Sequence, residues 1–203
     1  MILGLVGSEM CIRDRSWVDP INGLNKLDVL NPATEEPIGS IALGSSEDVN
    51  AAVDAAKNAF ASFSSSEKEE RVGYLEKIIE IYMKRSSEMA EAISSEMGAP
   101  MSLASKAHSP SGLGHFMTAL ETLKNYDFEQ QKDGLFIRKE AIGVVGMITP
   151  WNWPINQIAC KVAPALAAGC TMILKPSEIA PFNAMLMAEI CLLYTSDAAD
   201  EGW

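Results

Sequence analysis

The sequence predicts an α/β fold organised around a strand–helix–strand unit in its last third. IGVVGMI at 142–148 is short and apolar throughout, as in a parallel strand covered on both faces. Residues 153–168 repeat apolar positions at helical spacing and stop at Gly169, and TMIL at 171–174 is a second short apolar or β-branched run. The crossover of such a unit is right-handed, so both strand ends, Thr149-Pro150 and Lys175-Pro176, fall on one edge of the sheet. Open α/β sheets hold their ligands at that edge.

The elements upstream follow in order. Residues 17–43 read as a β-rich opening, with extended segments at 27–30 and 38–43 and turn signals at Asn31-Pro32 and Pro37 to Gly39. Ser45-Ser46-Glu47-Asp48 supplies a cap and an acidic first turn for a helix bearing Val49, Ala52, Val53, Ala56 and Phe60 on one stripe. SFSSSEKEE at 62–70 is a polar connection or helix start. Leu75, Ile78, Ile79, Tyr82, Met89, Ile93 and Met97 predict a longer helix or helix pair from about Glu67, closed by Gly98 and Pro100. A third helical region spans 101–126, with a kink or break expected at Pro110, Gly112 and Gly114. After Asp133-Gly134, LFIRKE at 135–140 alternates apolar and charged residues, which suits a strand with one solvated face.

Composition narrows the function. The 203 residues are 48% hydrophobic, enough for a core. Against 16 basic residues stand 27 acidic ones, a net charge of -11, with no dense Lys/Arg run to neutralise a phosphate backbone; no nucleic-acid partner is expected. No apolar run approaches the roughly 20 residues that span a bilayer. The opening MILGLVG lacks the basic flank and full apolar region of a signal peptide. We expect a soluble chain without a membrane partner. Cys11, Cys160, Cys170 and Cys191 form no Cys-x-x-Cys pair, so a reducing cytoplasm fits.

The two ends carry no periodicity that continues into their neighbours, and CLLYTSDAADE from Cys191 breaks an apolar helix pattern at Ile190. One DNA word accounts for both. The transposase end sequence CTGTCTCTTATACACATCT encodes Cys191 to Ser196 in one frame, and its reverse complement encodes Met10 to Asp14 followed by Arg or Ser. Residues 1–15 and 191–203 are therefore expected to be translated adapter, and 16–190 the biological insert; the other reading is an irregular natural tail.

Two polar clusters meet at the strand ends: Thr149, Trp151 and Asn152 after the first strand, and Lys175, Ser177 and Glu178 after the second. An asparagine amide fixed just past a strand can donate to an oxyanion, a role that takes a neutral donor and no proton transfer. A lysine beside a glutamate suits the neighbouring hydroxyls of a ribose. It reads equally as a surface turn with a local ion pair. Cys160 and Cys170 lie in apolar surroundings with no histidine or lysine arranged to activate them, and read as packing residues. His108 and His115 can share a helix face, but two histidines make a poor metal site, and no metal is expected. Trp151 and Trp153 read as a packed wall.

ITPWNWPINQIACKVAPALAAGCTMILKPSEIAPFNA, with DVLNPATEEPIGSIALGSSEDVNAAVDAAKNAF, SEMGAP and SGLGHFMTALETLKNYD upstream, resembles the NAD(P)-dependent aldehyde dehydrogenase superfamily. The resemblance covers residues 17–190 and corresponds to the N-terminal portion of a chain more than twice this length. It implies an aldehyde dehydrogenase-like fold, here an incomplete Rossmann-like NAD-binding domain with an N-terminal β segment and helices, including part of the oligomerisation region at 135–140. It also implies NAD-dependent oxidation of a small-molecule aldehyde to a carboxylic acid in a cytoplasmic homodimer or homotetramer.

Residue by residue, Asn152 matches the asparagine whose amide helps form the oxyanion hole. Lys161 matches a lysine sometimes assigned a charge-relay role, contact with carbonyls or substrate-channel groups being the other reading. Ile148, Thr149, Pro150 and Trp151 match positions lining the nicotinamide end of the cofactor site. Lys175 and Glu178 match the pair that holds the adenosine ribose hydroxyls, with Pro176 and Ser177 shaping the turn between them. A carboxylate at Glu178 repels a 2′-phosphate, which favours NAD over NADP. Ala141 stands where many members of the family place proline. The family's nucleophilic cysteine, in Gly-Gln-x-Cys, and its general-base glutamate, in Glu-Leu-Gly-Gly, have no counterpart in the sequence. The 203 residues by themselves are expected to lack dehydrogenase activity. The alternative is a complete non-catalytic nucleotide-binding or interaction module.

Overall fold

The structure, a computed structural model, describes residues 3–7, 10–13, 16–23 and 25–200, with side chains between 17 and 192. Of the two expected adapter tails, residues 1, 2, 8, 9, 14, 15 and 201–203 lie outside the described residues, as does the side chain of Cys11.

Three short strands open the chain, β1 (Leu3–Gly7), β2 (Met10–Arg13) and β3 (Ser16–Val18). β4 (Lys26–Leu30) and β5 (Pro37–Ala42) then pair antiparallel. Asn31 closes the connection between them: its Oδ1 accepts the Ala33 amide at 2.9 Å and its carbonyl accepts the Glu35 amide at 2.8 Å.

Helix α1 (Ser46–Phe63) begins at a capping box. The Ser45 hydroxyl accepts the Asp48 amide, and the Asp48 carboxylate accepts the Ser45 amide at 2.8 Å. Asp48 also takes the Ile21 amide at 2.9 Å and is itself buried. It occupies the inward position of the first turn, which leaves Val49, assigned by pattern to the apolar stripe, 46% exposed.

The long apolar pattern that follows is a helix pair, α2 (Lys68–Lys84) and α3 (Ser86–Met97), broken at Arg85. Gly98 ends α3 at φ +78°. A three-residue α4 (Met101–Leu103) runs through a π turn (Ala104–His108) into α5 (Ser109–Lys124). The break expected at Pro110 to Gly114 thus falls one turn earlier. Pro110 sits in the first turn of α5, and the wider π turn before it accommodates the missing N–H and the ring. At Gly112 the helices nearly touch: a Cβ there would lie 2.6 Å from Tyr82 Oη and 2.7 Å from Ile155 Cγ1.

β6 (Glu129–Lys132) and β7 (Leu135–Arg138) form a hairpin through Asp133 and Gly134, both at positive φ as a two-residue primed turn requires. β7 was expected to keep one dry face, yet Leu135, Phe136 and Ile137 are 65%, 64% and 39% exposed. The hairpin pairs only with itself, and no helix covers either face among the described residues.

β8 (Val144–Ile148), α6 (Pro154–Ala167) and β9 (Thr171–Lys175) make the strand–helix–strand unit, with β8 and β9 parallel from Val144↔Thr171 to Ile148↔Lys175. The sheet order is β3-β2-β1-β9-β8, with β1 parallel to β9. β8 therefore lies at an edge, and the burial expected on both its faces holds at Met147 while Ile148 stays 79% exposed. Helix α7 (Phe182–Asp200) runs on through Ile190, where the pattern was expected to break, and Cys191 packs in the core.

One hydrophobic core joins these layers. Leu75, Ile78 and Tyr82 of α2, Ile93 of α3, Phe116 of α5, Ile155, Val162 and Leu166 of α6, Leu174 of β9 and Met187 of α7 are all fully buried. Each such side chain contributes on the order of 2 kcal/mol of transfer free energy. α1 is fastened to the sheet by Thr171 Oγ1, which donates to the Ala56 carbonyl at 2.9 Å.

Candidate active site

The register Ile148↔Lys175 brings the two sequence-predicted clusters to one sheet edge. The Thr149 amide donates to the Lys175 carbonyl at 3.2 Å, continuing the ladder past β8 and joining the two turns. Thr149 and Pro176 are buried at the base of this edge, while Ile148, Pro150, Trp151, Asn152, Lys175 and Glu178 are exposed and Ser177 is half-buried. Lys175 Nζ lies 2.7 Å from Glu178 Oε2. This hydrogen bond is the main reason the Glu178 carboxyl sits below its usual value, so it is a carboxylate at neutral pH. Asn152, at the mouth of α6, makes no side-chain hydrogen bond among the described residues, and its amide protons are available to a ligand.

Behind Asn152 the helix start is braced from α5. Trp153 Nε1 donates to Ser111 Oγ at 3.2 Å, and the Trp153 ring stacks on His108 with centroids 3.9 Å apart. Burial holds His108 below its usual value, so the ring is neutral at pH 7. The packed wall expected of both tryptophans is therefore Trp153 alone; Trp151 is 47% exposed. His115 Nε2 donates to Asn156 Oδ1 at 2.8 Å, one turn into α6. The two histidines serve separate partners, and among the described residues no group of three His, Cys, Asp or Glu is placed to hold a metal.

Lys161 Nζ folds back along its own helix to the Gln157 carbonyl at 3.1 Å and Gln157 Oε1 at 3.2 Å. It also passes 3.9 Å from the Sγ of Cys160, a residue the sequence reads as packing. The i, i+1 spacing puts them on adjacent faces, but the lysine stem is long enough to curl back. Cys160 is half-buried and opens on a cavity of about 480 Å³ bounded by His115, Thr122, Tyr126, Lys139 and Pro164, whereas Cys170 is packed in the interior.

The sequence model of the aldehyde dehydrogenase family matches residues 17–195. The chain belongs to that family. It is 52% identical over 178 residues to the 3-succinoylsemialdehyde-pyridine dehydrogenase of a Pseudomonas species, a match covering 87% of this chain and 37% of that one. Among solved structures it is similar to an aldehyde dehydrogenase from Bartonella henselae, with TM-score 0.88 and 45% identity over 96% of this chain and 41% of that chain. It is equally similar in fold to aldehyde dehydrogenase C of Pseudomonas syringae in complex with NAD+ and octanal, with TM-score 0.88 and 41% identity over 94% of this chain and 38% of that chain. The chain thus spans little more than a third of the length of the relatives it matches.

The aldehyde dehydrogenase fold adds a residue that pattern reading passed over. Glu96, in the SEMGAP stretch at the end of α3, is 1% exposed and accepts the Phe182 amide, the Asn183 amide at 2.9 Å and Asn183 Nδ2 at 2.8 Å. A glutamate three residues after Ile93, on the buried face of α3, was the signal available. Its partners lie 86 and 87 positions away, beyond any local pattern.

Proposed function

We propose that the chain forms the cofactor-binding edge and oxyanion donor of an NAD-dependent aldehyde dehydrogenase that oxidises a small-molecule aldehyde to a carboxylic acid. The observation that carries this reading is the juxtaposition of the Asn152 turn and the Lys175–Glu178 pair at one strand edge, joined by the Thr149–Lys175 backbone bond. The donor set fits NAD: an exposed ammonium and carboxylate, 2.7 Å apart, can donate to and accept from adjacent ribose hydroxyls. Glu178, ionised, repels a 2′-phosphate and selects NAD over NADP. Ile148, Thr149, Pro150 and Trp151 wall the nicotinamide end, and Pro176 and Ser177 hold the turn between the ribose contacts. NAD, when bound, supplies the two-electron acceptor for the aldehyde.

Asn152 then acts on the substrate side. Its amide, carried on the turn that leads into α6, donates to the oxygen that gains charge when a thiolate adds to the aldehyde carbonyl. Lys161, bonded to Gln157, is left with a subordinate part. The thiolate and the water-activating glutamate belong to motifs outside these 203 residues, which we expect to be inactive alone. We assign 1–15 and 191–203 to translated adapter, 16–190 to the enzyme, and the enzyme to the cytoplasm; among the described residues no helix is long and apolar enough to cross a membrane. The exposed apolar hairpin β6–β7 supports a homodimer or homotetramer of the full-length protein.

The test is a pair of substitutions in the full-length enzyme. Asn152→Ala should lower kcat on the order of 100-fold with NAD+ affinity held within about twofold, and Lys175→Ala should raise the Kd for NAD+ about tenfold with kcat largely kept. Exchanged phenotypes would sink both assignments.

A further inference from the structure

Between β9 and α7 the chain makes a tight turn that carries the ribose pair. The Ser177 hydroxyl accepts the Ile179 amide at 3.3 Å, and the Ser177 carbonyl accepts the Ala180 amide at 3.3 Å. Asn183, fully buried, donates from Nδ2 to the Ala180 carbonyl at 2.8 Å, which pins the far end of the turn to the first turn of α7. That first turn is held from another part of the fold. Glu96 of α3 accepts the Phe182 and Asn183 amides and Asn183 Nδ2, taking N–H groups that a helix start leaves without partners. A carboxylate suits this place because the partial positive charge of the α7 N-terminus faces it.

A buried acid is an expensive way to cap a helix, since a serine or aspartate at the cap position does the same locally. Glu96 does something a local cap cannot: it fixes the α7 start, and through Asn183 and Ala180 the turn bearing Glu178, relative to α3. We infer that Glu96 is a positioning residue for NAD binding, holding the Lys175–Glu178 pair at the geometry the ribose hydroxyls require. This rests on the reading of Lys175 and Glu178 as the ribose-binding pair.

The full-length enzyme tests it by three readouts on Glu96→Ala and Glu96→Gln: the Kd for NAD+ by titration calorimetry, amide hydrogen exchange at 179–183 without NAD+, and kcat at saturating NAD+. Glu96→Ala should raise the Kd about tenfold and speed exchange at Phe182 and Asn183, with kcat within about twofold of wild type. Glu96→Gln, which keeps one acceptor oxygen, should fall between, and decides the matter if the alanine variant does not fold. A control, Ile93→Val on the same helix, lowers thermal stability without touching the tie and should leave the Kd unchanged; an equal rise in that control would reduce Glu96 to a stability residue and overturn the inference. Lys175→Ala separates the two readings. If Lys175→Ala weakens NAD+ while both Glu96 variants bind it as wild type does, the positioning role is wrong and the ribose site stands. If Lys175→Ala leaves the Kd unchanged, the ribose assignment and the inference built on it fall together, whatever the exchange data show.

Discussion

Gly169, at the sheet edge opposite the site, shows how much a single residue is asked to do. It follows α6 and its cap residue Ala168, two residues before β9 begins, at φ +80°, a conformation that costs an L side chain about 1–2 kcal/mol. A Cβ there would also lie 2.8 Å from Arg71 Nη1, but that atom is the far end of a long side chain and can yield. The backbone term therefore dominates. Gly169→Ala should lower stability by about 1–2 kcal/mol, read from denaturant unfolding, and a loss above about 4 kcal/mol would mean that Arg71 cannot move. Arg71 is buried with its guanidinium 4.8 Å over the Phe128 ring. At this scale the sequence was most legible where one residue type has one use: Gly98, Gly169, the Ser45/Asp48 box and the Lys175–Glu178 pair all stand where pattern placed them. The exposure of Val49 and Trp151 escaped it, because exposure depends on what the rest of the fold brings alongside.

Among the elements, the α3–α7 tie has a pH signature that follows from burial. Desolvation pushes the Glu96 carboxyl up to about 7, and the hydrogen bonds from Asn183 and Phe182 offset only part of that shift. The folded-state value lies above the unfolded value of 4.5, so the native state holds this proton more tightly. The stability this provides is full below about pH 4.5 and is lost as pH rises through about 7. Glu96→Gln cannot titrate. Between pH 5 and pH 8 the stability difference should shift in its favour by a few kcal/mol, on top of any constant offset from the lost acceptor. A difference that stays flat with pH would mean Glu96 is ionised throughout. The elements themselves were readable from periodicity, and the strand–helix–strand unit emerged with its register implied. What periodicity could not give was the π turn before Pro110, a local answer to a missing N–H, or the two-sided exposure of β7, which depends on which elements pack beside it.

At the scale of the molecule, the chain is a little more than a third of its relatives' length, yet it carries a continuous core from α2 to α7. We expect the 203 residues alone to yield no NADH from any aldehyde, monitored by absorbance with NAD+ in excess; turnover above the buffer rate would show that another group replaces the missing thiolate. Fold class was legible, and so was the meeting of the Thr149–Asn152 and Lys175–Glu178 turns at one edge, because both reduce to where strand ends fall. The cross-fold tie through Glu96 was not, since hydrogen bonds spanning 86 and 87 residues leave no periodic trace. The crowding at Gly112 carries the same lesson into genetics. Tyr82 and Ile155 leave that position room for a hydrogen atom only, whereas Gly114, two residues along the same helix, faces open space. In a pool randomised at both codons and selected for function, the first should return glycine alone and the second should drift freely toward better helix formers, so neighbouring letters of one short word would obey opposite rules.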